Sequence, residues 1–288
     1  MTMTPRFPIA AITDEYSADL GRALDAMAAT GMKGAELRMI GGRNIVDLDD
    51  EEVDRAVAAV QSRGMEVIGL ASPLLKCVLP DGPAVDARFQ QDTFAAKHTF
   101  ADQPRLAERA FAIAKRSGAK FIRVFSFWRT VAPEQCFDAI VASLAGLCDQ
   151  AAKHGLIIGL ENEHACNIAT GTETARVLAA LDHPNLKVVW DPANALVAGE
   201  VPFPHGYRML PARRIAHVHA KDCHMEGHTP VWGPLGTRSV DWRGQIQALI
   251  EDGYQGYLSL ETHWPGPEGD KFQASWICGW NLRGLAAV

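Results

Sequence analysis

Four apolar runs of the chain each finish in a residue able to bind a metal ion. "LIIGLENEH" reaches Glu161, "LKVVWD" ends on Asp191, "IAHVHAKD" carries His219, and "YLSLET" carries Glu261. Carboxylate oxygens with one imidazole nitrogen form a ligand set for a divalent cation, favouring Mn²⁺ first, then Mg²⁺ or Co²⁺, and admitting Zn²⁺ or Fe²⁺. Three carboxylates crowded in a partly dry place repel one another and raise at least one pKa unless a cation neutralises them. Any one of these residues would ordinarily pair with a nearby base or cap the next helix. Four successive strand ends of this kind instead predict one divalent ion held by Glu161, Asp191, His219 and Glu261.

Delivering four strand ends to one point requires parallel strands. Eight short β-branched or aliphatic runs recur, starting at Phe7, Gly34, Met65, Ala119, Leu156, Leu186, Ile215 and Tyr257. Amphipathic helical stretches alternate with them, and that alternation specifies a parallel sheet with crossover helices. Eight such units close a (β/α)8 TIM barrel, whose usual length of about 250 residues fits one α/β domain over residues 1–288. The helices have readable ends. Asp49 or Asp50 caps the stretch that stops at Gly64, Pro133 stands near the first turn of the one that stops at Gly155, and Asp241 caps the one that stops at Gly253. A last helix follows Gly269, with Trp276, Ile277 and Trp280 available to the barrel or to a second subunit.

Two connections are too long to be simple turns, about 71–103 after the third strand and 223–239 after the seventh. Both leave the carboxyl ends of strands, the rim where barrel enzymes keep their chemistry. They are therefore expected to form a lid or a substrate wall.

Composition narrows the classes of partner. Hydrophobic residues make up 48% of the chain, enough for a sizeable core, and the net charge of −6 with no basic stripe argues against a nucleic-acid partner. No run of about 18 apolar residues and no signal-peptide pattern occurs, which predicts a soluble cytoplasmic protein with no membrane partner. Six scattered cysteines show no zinc-finger spacing and read as reduced core residues. No glycine-rich phosphate loop follows a strand, so no nucleotide cofactor is expected.

With these motifs on the page, the chain resembles the xylose isomerase-like barrels. Glu161 in "GLENEH", Asp191 in "VVWDPANAL", His219 in "HVHAKD" and Glu261 in "GYLSLETH" look like that group's metal quartet. "GPLGTRSVDWRGQIQALIEDGYQGYLSLETH" is similar to its approach to the last helix and strand. The resemblance implies a divalent-metal-dependent isomerase or epimerase acting on a ketose or related small sugar through a cis-enediolate. Glu161 and Glu261 would then be the two catalytic bases, one removing a proton beside the carbonyl and the other returning it to the opposite face. The alternative within the same framework is a lyase: an inosose or dehydroshikimate dehydratase, or an enzyme that eliminates the aglycone of a C-glycoside or 3-keto-glycoside. An alternative of another class is a non-catalytic carbohydrate-binding barrel, which would not need four aligned ligands.

The chain departs from the group at Asn194, where epimerases and endonuclease IV tend to carry a histidine. The third strand runs into Ala71, Ser72 and Pro73, and no D-x-H pair follows the seventh, so a three-zinc nuclease is disfavoured. For a small polyhydroxylated carbonyl substrate the candidate contacts are Glu163, Asn194, His217, Lys221, Trp128 and Arg238, with His164, Lys97 and His98 also near the rim. His217 shares the parity of His219 one layer deeper, so a satisfied core histidine is its plainer reading. Trp128, Trp190 and Trp232 could stack on a sugar or simply pack. Arg123 would need an acidic partner if it faced inward. A homo-oligomer is compatible with the apolar residues of the last helix.

Overall fold

The protein is described by a computed structural model covering residues 6–287. Eight strands form a closed, all-parallel barrel in sequence order: β1 Ile9–Ile12, β2 Gly34–Leu37, β3 Glu66–Leu70, β4 Phe121–Val124, β5 Ile157–Glu161, β6 Leu186–Trp190, β7 Ile215–Ala220 and β8 Leu258–Leu260. β8 pairs with β1 through Leu258 opposite Ile9 and completes the circle. All eight expected runs are strands, each within its predicted stretch. The principal helices are α1 Leu20–Thr30, α2 Asp50–Gln61, α3 Gln103–Ser117, α4 Phe137–His154, α5 Gly171–Ala180, α6 Pro192–Val197, α7 Trp242–Glu251 and α8 Lys271–Ala286.

Local chemistry sets the helix ends. Asp49, rather than Asp50, caps α2 and forms a capping box with Glu52, while Asp241 caps α7. Gly118 and Gly155, with φ of 76° and 65°, end α3 and α4 in the left-handed conformation that a side chain would disfavour. On α4, Ile140, Leu144, Leu147, Cys148 and Ala151 form the buried stripe. On α8, Trp276 packs against the core, whereas Trp280 is 43% exposed. All six cysteines are free and buried. Among the described residues no helix is long and apolar enough to cross a membrane.

Inside the barrel, bulk is distributed so that a polar stack can stand above it. A Cβ on Gly69 would lie 2.2 Å from the Phe121 ring, so glycine leaves the space that the ring fills. The Phe121 centroid lies 4.7 Å from that of His217 and forms the floor of the stack. Trp190 faces the opposite way, fully buried, donating from Nε1 to Gln245 Oε1 at 2.8 Å on α7.

The two long connections are structured. Residues 71–103 contain a short helix, Gln90–Ala95, and meet the loop after β4 through a bridge between Val85 and Thr130. After β7, Asp222–Glu226 pairs antiparallel with Thr229–Gly233. The Asp222 carboxylate accepts the backbone N–H groups of Arg238 and Val240 at 2.9 and 3.1 Å, which pins the return of this hairpin. Asp222→Ala strands both donors and should lower unfolding free energy by about 2 kcal/mol. It should also make residues 223–239 more susceptible to limited proteolysis. Urea unfolding and cleavage indistinguishable from the parent would show that the carboxylate does not hold the hairpin.

Candidate metal centre

Parity along the strands brings the expected ligands together. Glu161 is the last residue of β5. Asp191 follows β6 and caps α6, its Oδ1 accepting Asn194 N–H at 2.8 Å while Oδ2 is left for other use. His219 points inward from β7, and Glu261 follows β8. One ligand atom from each of these four buried residues lies within 4.8 Å of the others. Donors opposed across an ion at about 2.1–2.3 Å stand about 4.2–4.6 Å apart, so the spacing suits a single ion.

The buried oxygens provide a second test of fit. Glu161 Oε2 and Asp191 Oδ2 have no aligned hydrogen bond, although Arg123 Nη1 stands 3.1 Å from the first and Lys221 Nζ 2.9 Å from the second. Carboxylate oxygens held by charge alone, without an aligned donor, are available to a divalent cation. The residues present therefore fit such an ion.

Below the quartet, Glu36 organises the imidazoles. Its Oε1 is 2.7 Å from His217 Nε2 and its Oε2 is 3.2 Å from His219 Nε2. Burial disfavours its charge, but His217 and His219 hold the Glu36 carboxyl well below the usual carboxylate range. An ionised carboxylate only accepts, so the Nε2 atoms of both rings must donate. His219 Nδ1, 3.0 Å from Glu161 Oε1 and 3.3 Å from Glu261 Oε2, is thereby left facing the quartet.

Above the quartet a cavity of about 240 Å³ opens, lined among others by Arg38, Lys76, Arg123, Phe125, Glu163 and His263 beside Glu261. Arg123 faces inward, and its Nη1 is 3.7 Å from Glu261 as well as touching Glu161. Arg38 joins Glu261 at 3.1 Å to Asp14 at 2.9 Å and also to Glu15. Lys221 lies 3.0 Å from Glu261 Oε2. Glu163 is buried, 3.2 Å from Asn194 Nδ2, and Asn194 Oδ1 is 2.9 Å from His164 Nδ1. Trp232, on the hairpin after β7, packs against the mouth residue His263, ring centroids 4.6 Å apart.

Three anticipated substrate contacts are placed differently. His217 sits beneath His219 and spends its Nε2 on Glu36, because its strand position is one layer deeper. Arg238 lines a surface groove with Trp280 and Leu285, because Asp222 draws its backbone away from the mouth. Trp128 lies behind Lys76, whose Nζ is 5.3 Å from its centroid, and it is outside the lining of the mouth cavity. Of the other rim residues, Lys97 is exposed and His98 stands 3.6 Å from Asp47. Glu36, Arg38, Lys76 and His263 were not singled out from the sequence. Glu36 had a signal, as the one charge inside the run "GAEL".

The electrostatics has a direct consequence. Burial, reinforced by Glu161 and Glu261 and opposed by Lys221, pushes the Asp191 carboxyl up to about 7. Burial works against charge on His219, yet Glu36, Glu161 and Glu261 raise it well above its usual range. Both must shed a proton to ligate an ion. Mn²⁺ affinity should therefore fall about tenfold per pH unit where His219 alone holds a proton, and more steeply below about pH 7 where Asp191 takes one too, with proton release visible in calorimetry run in buffers of different ionisation enthalpy. Affinity flat from about pH 5.5 to 8 would refute this.

The xylose isomerase-like TIM barrel family model matches residues 24–278. No curated protein sequence matches the chain. Among solved structures, the IolI protein with a binding zinc atom superposes with a TM-score of 0.72 at 18% identity, covering 98% of each chain. D-allulose 3-epimerase from Methylomonas sp., in complex with D-allulose, gives 0.68 at 18%, covering 99% of this chain and 96% of that one. 3-Keto-D-glucoside 4-epimerase from E. coli, in apo form, gives 0.67 at 17%, with 96% and 99% covered. At such identities the likeness is one of fold. Matched by the family model over most of its length and closed into the same eight-stranded barrel, the chain belongs to the xylose isomerase-like TIM barrel family.

Proposed function

We propose that this chain, acting as one catalytic unit, is a divalent-metal-dependent isomerase or epimerase of a ketose or related small sugar, working through a cis-enediolate. The observation that carries the proposal is the pair Glu161 and Glu261, which stand 3.0 and 3.3 Å from the same His219 Nδ1, with Glu261 lining a small cavity. Two carboxylates flanking one point suit proton removal from one face of a carbon and delivery to the other.

Glu161, Asp191, His219 and Glu261 would hold the ion, with Mn²⁺ preferred for the oxygen-rich donor set. When bound, the ion supplies Lewis-acid polarisation of a carbonyl and its neighbouring hydroxyl. Burial opposes ionisation of Glu261, but Lys221 and His219 hold its carboxyl well below the usual range, so it is available as a base. Arg123, between the two glutamates, keeps both oriented toward the mouth. Glu163 and Asn194 offer an acceptor and an amide for substrate hydroxyls at the rim. Trp232 and the hairpin that carries it limit access of water from above. The epimerase structure that contains D-allulose supports a small polyhydroxylated substrate.

A second reading is favoured by Asn194, whose amide cannot titrate where a histidine is common. A lyase would use the same proton abstraction and then expel a β-substituent from an inosose, a dehydroshikimate or a 3-keto-glycoside.

The test is proton exchange in D₂O across a metal-supplemented panel of ketoses, inososes and 3-keto-glycosides. Glu261→Gln should cut solvent deuterium incorporation by about 10³-fold or more while leaving far-UV circular dichroism unchanged. Exchange retained in that variant would remove Glu261 as an essential base, and no exchange by the parent on any member would sink the enediolate reading. Product analysis separates isomer from eliminated alkene.

A further inference from the structure

Lys221 is among the largest fully buried side chains, an unusual place for a residue that is almost never enclosed without partners. Its Nζ lies 2.9 Å from Asp191 Oδ2 and 3.0 Å from Glu261 Oε2, oxygens of two of the four candidate ligands. The Trp232 ring lies over it, centroid 5.8 Å from Nζ, and closes it off from above. Across the quartet, Arg123 Nη1 covers Glu161 Oε2 at 3.1 Å. Every carboxylate of the quartet thus has a protein cation against one of its oxygens. The two cations are not equivalent. Arg123 is a planar fork whose Nη2 is also 3.4 Å from the Ser72 carbonyl, whereas Lys221 is a point charge on a flexible stem.

An ion seated among Asp191, His219 and Glu261 would lie about 2.0–2.3 Å from each donor atom. It would therefore stand only a few ångströms from Nζ, where two positive charges repel strongly in a region closed to water. The ammonium and the ion also draw on the same two carboxylates. Resting on the metal reading above, we propose that Lys221 is a built-in competitor for the metal, an affinity-determining residue whose ammonium must give up Asp191 and Glu261 before an ion is held tightly. The chain thereby keeps a cation beside its buried carboxylates when no metal is bound and holds the metal in an exchangeable rather than a permanent grip.

The proposal makes a prediction opposite to that of structural damage. Lys221→Met and Lys221→Gln are compared with the parent at one fixed pH, after chelation, by calorimetric titration with Mn²⁺ and by thermal unfolding with and without Mn²⁺. Both variants should bind Mn²⁺ at least about tenfold more tightly, because the repulsive charge is gone. Their chelated forms should melt lower than the chelated parent, because uncompensated carboxylates are left behind, and Mn²⁺ should restore most of the loss. Lys221→Gln removes the charge but keeps two N–H donors on a side chain one atom shorter, so it reports on charge even if the methionine variant does not fold. Arg129→Met, removing a cation that pairs with Glu173 away from the quartet, should leave Mn²⁺ affinity unchanged. Parent binding with equal or weaker affinity in the variants overturns the competition alone. Absence of Mn²⁺ binding by parent and variants alike overturns it together with the metal reading.

Discussion

The compensation of buried charge at the carboxyl end of the barrel is the constraint on which the rest of the structure depends. Glu36, Glu161, Glu163, Asp191 and Glu261 are all nearly inaccessible, and an isolated carboxylate in such surroundings costs several kcal/mol or shifts its pKa to escape. Each has a partner: the imidazoles for Glu36, Arg123 for Glu161, Lys76 and His164 for Glu163, and Lys221 for Asp191 and Glu261. Asp191 shows the balance is incomplete, since its carboxyl still rises to about 7. The misfit is concentrated where four candidate ligands converge, as expected of a site that spends fold stability on chemistry.

This arrangement is built as a column. Phe121 fills the space left by Gly69, His217 rests on Phe121, Glu36 joins His217 to His219, and His219 reaches Glu161 and Glu261. Each level fixes the next: the ring sets the depth of His217, and the shared carboxylate sets which nitrogen of His219 faces the ligands. The column stands on strands held in register around a closed circle, so the orientation of His219 is a property of the whole barrel. Loops add what the strands cannot. The hairpin after β7 sets Trp232 over the opening, and the connection after β3 contributes Lys76 to its wall.

Much of this was legible in the chain itself. Eight apolar runs alternating with amphipathic stretches specify a parallel barrel, because strands covered on both faces must be apolar and their crossovers must be helices. The convergence of the four candidate ligands was legible for a related reason: a charged or imidazole side chain at the end of an apolar run marks where a strand leaves the core. The helix caps at Asp49 and Asp241 followed from side-chain chemistry acting over a few residues.

What the chain could not show is where side chains point when both faces of a strand are buried. Arg123, amid "FIRV", has no alternation to give its direction, and only closure of β4 against β5 turns it toward Glu161 and Glu261. Trp190 and Asp191 are adjacent in sequence, yet the first packs on α7 and the second joins the candidate quartet. Arg238 was misplaced because its position depends on Asp222, sixteen residues earlier, holding its backbone. Sequence by itself determined the barrel and the four residues that meet as candidate ligands, since those follow from polarity and spacing along the chain. Only the tertiary structure decided which cations stand beside them, because pairing across a closed barrel is set by strand register between segments far apart in the chain.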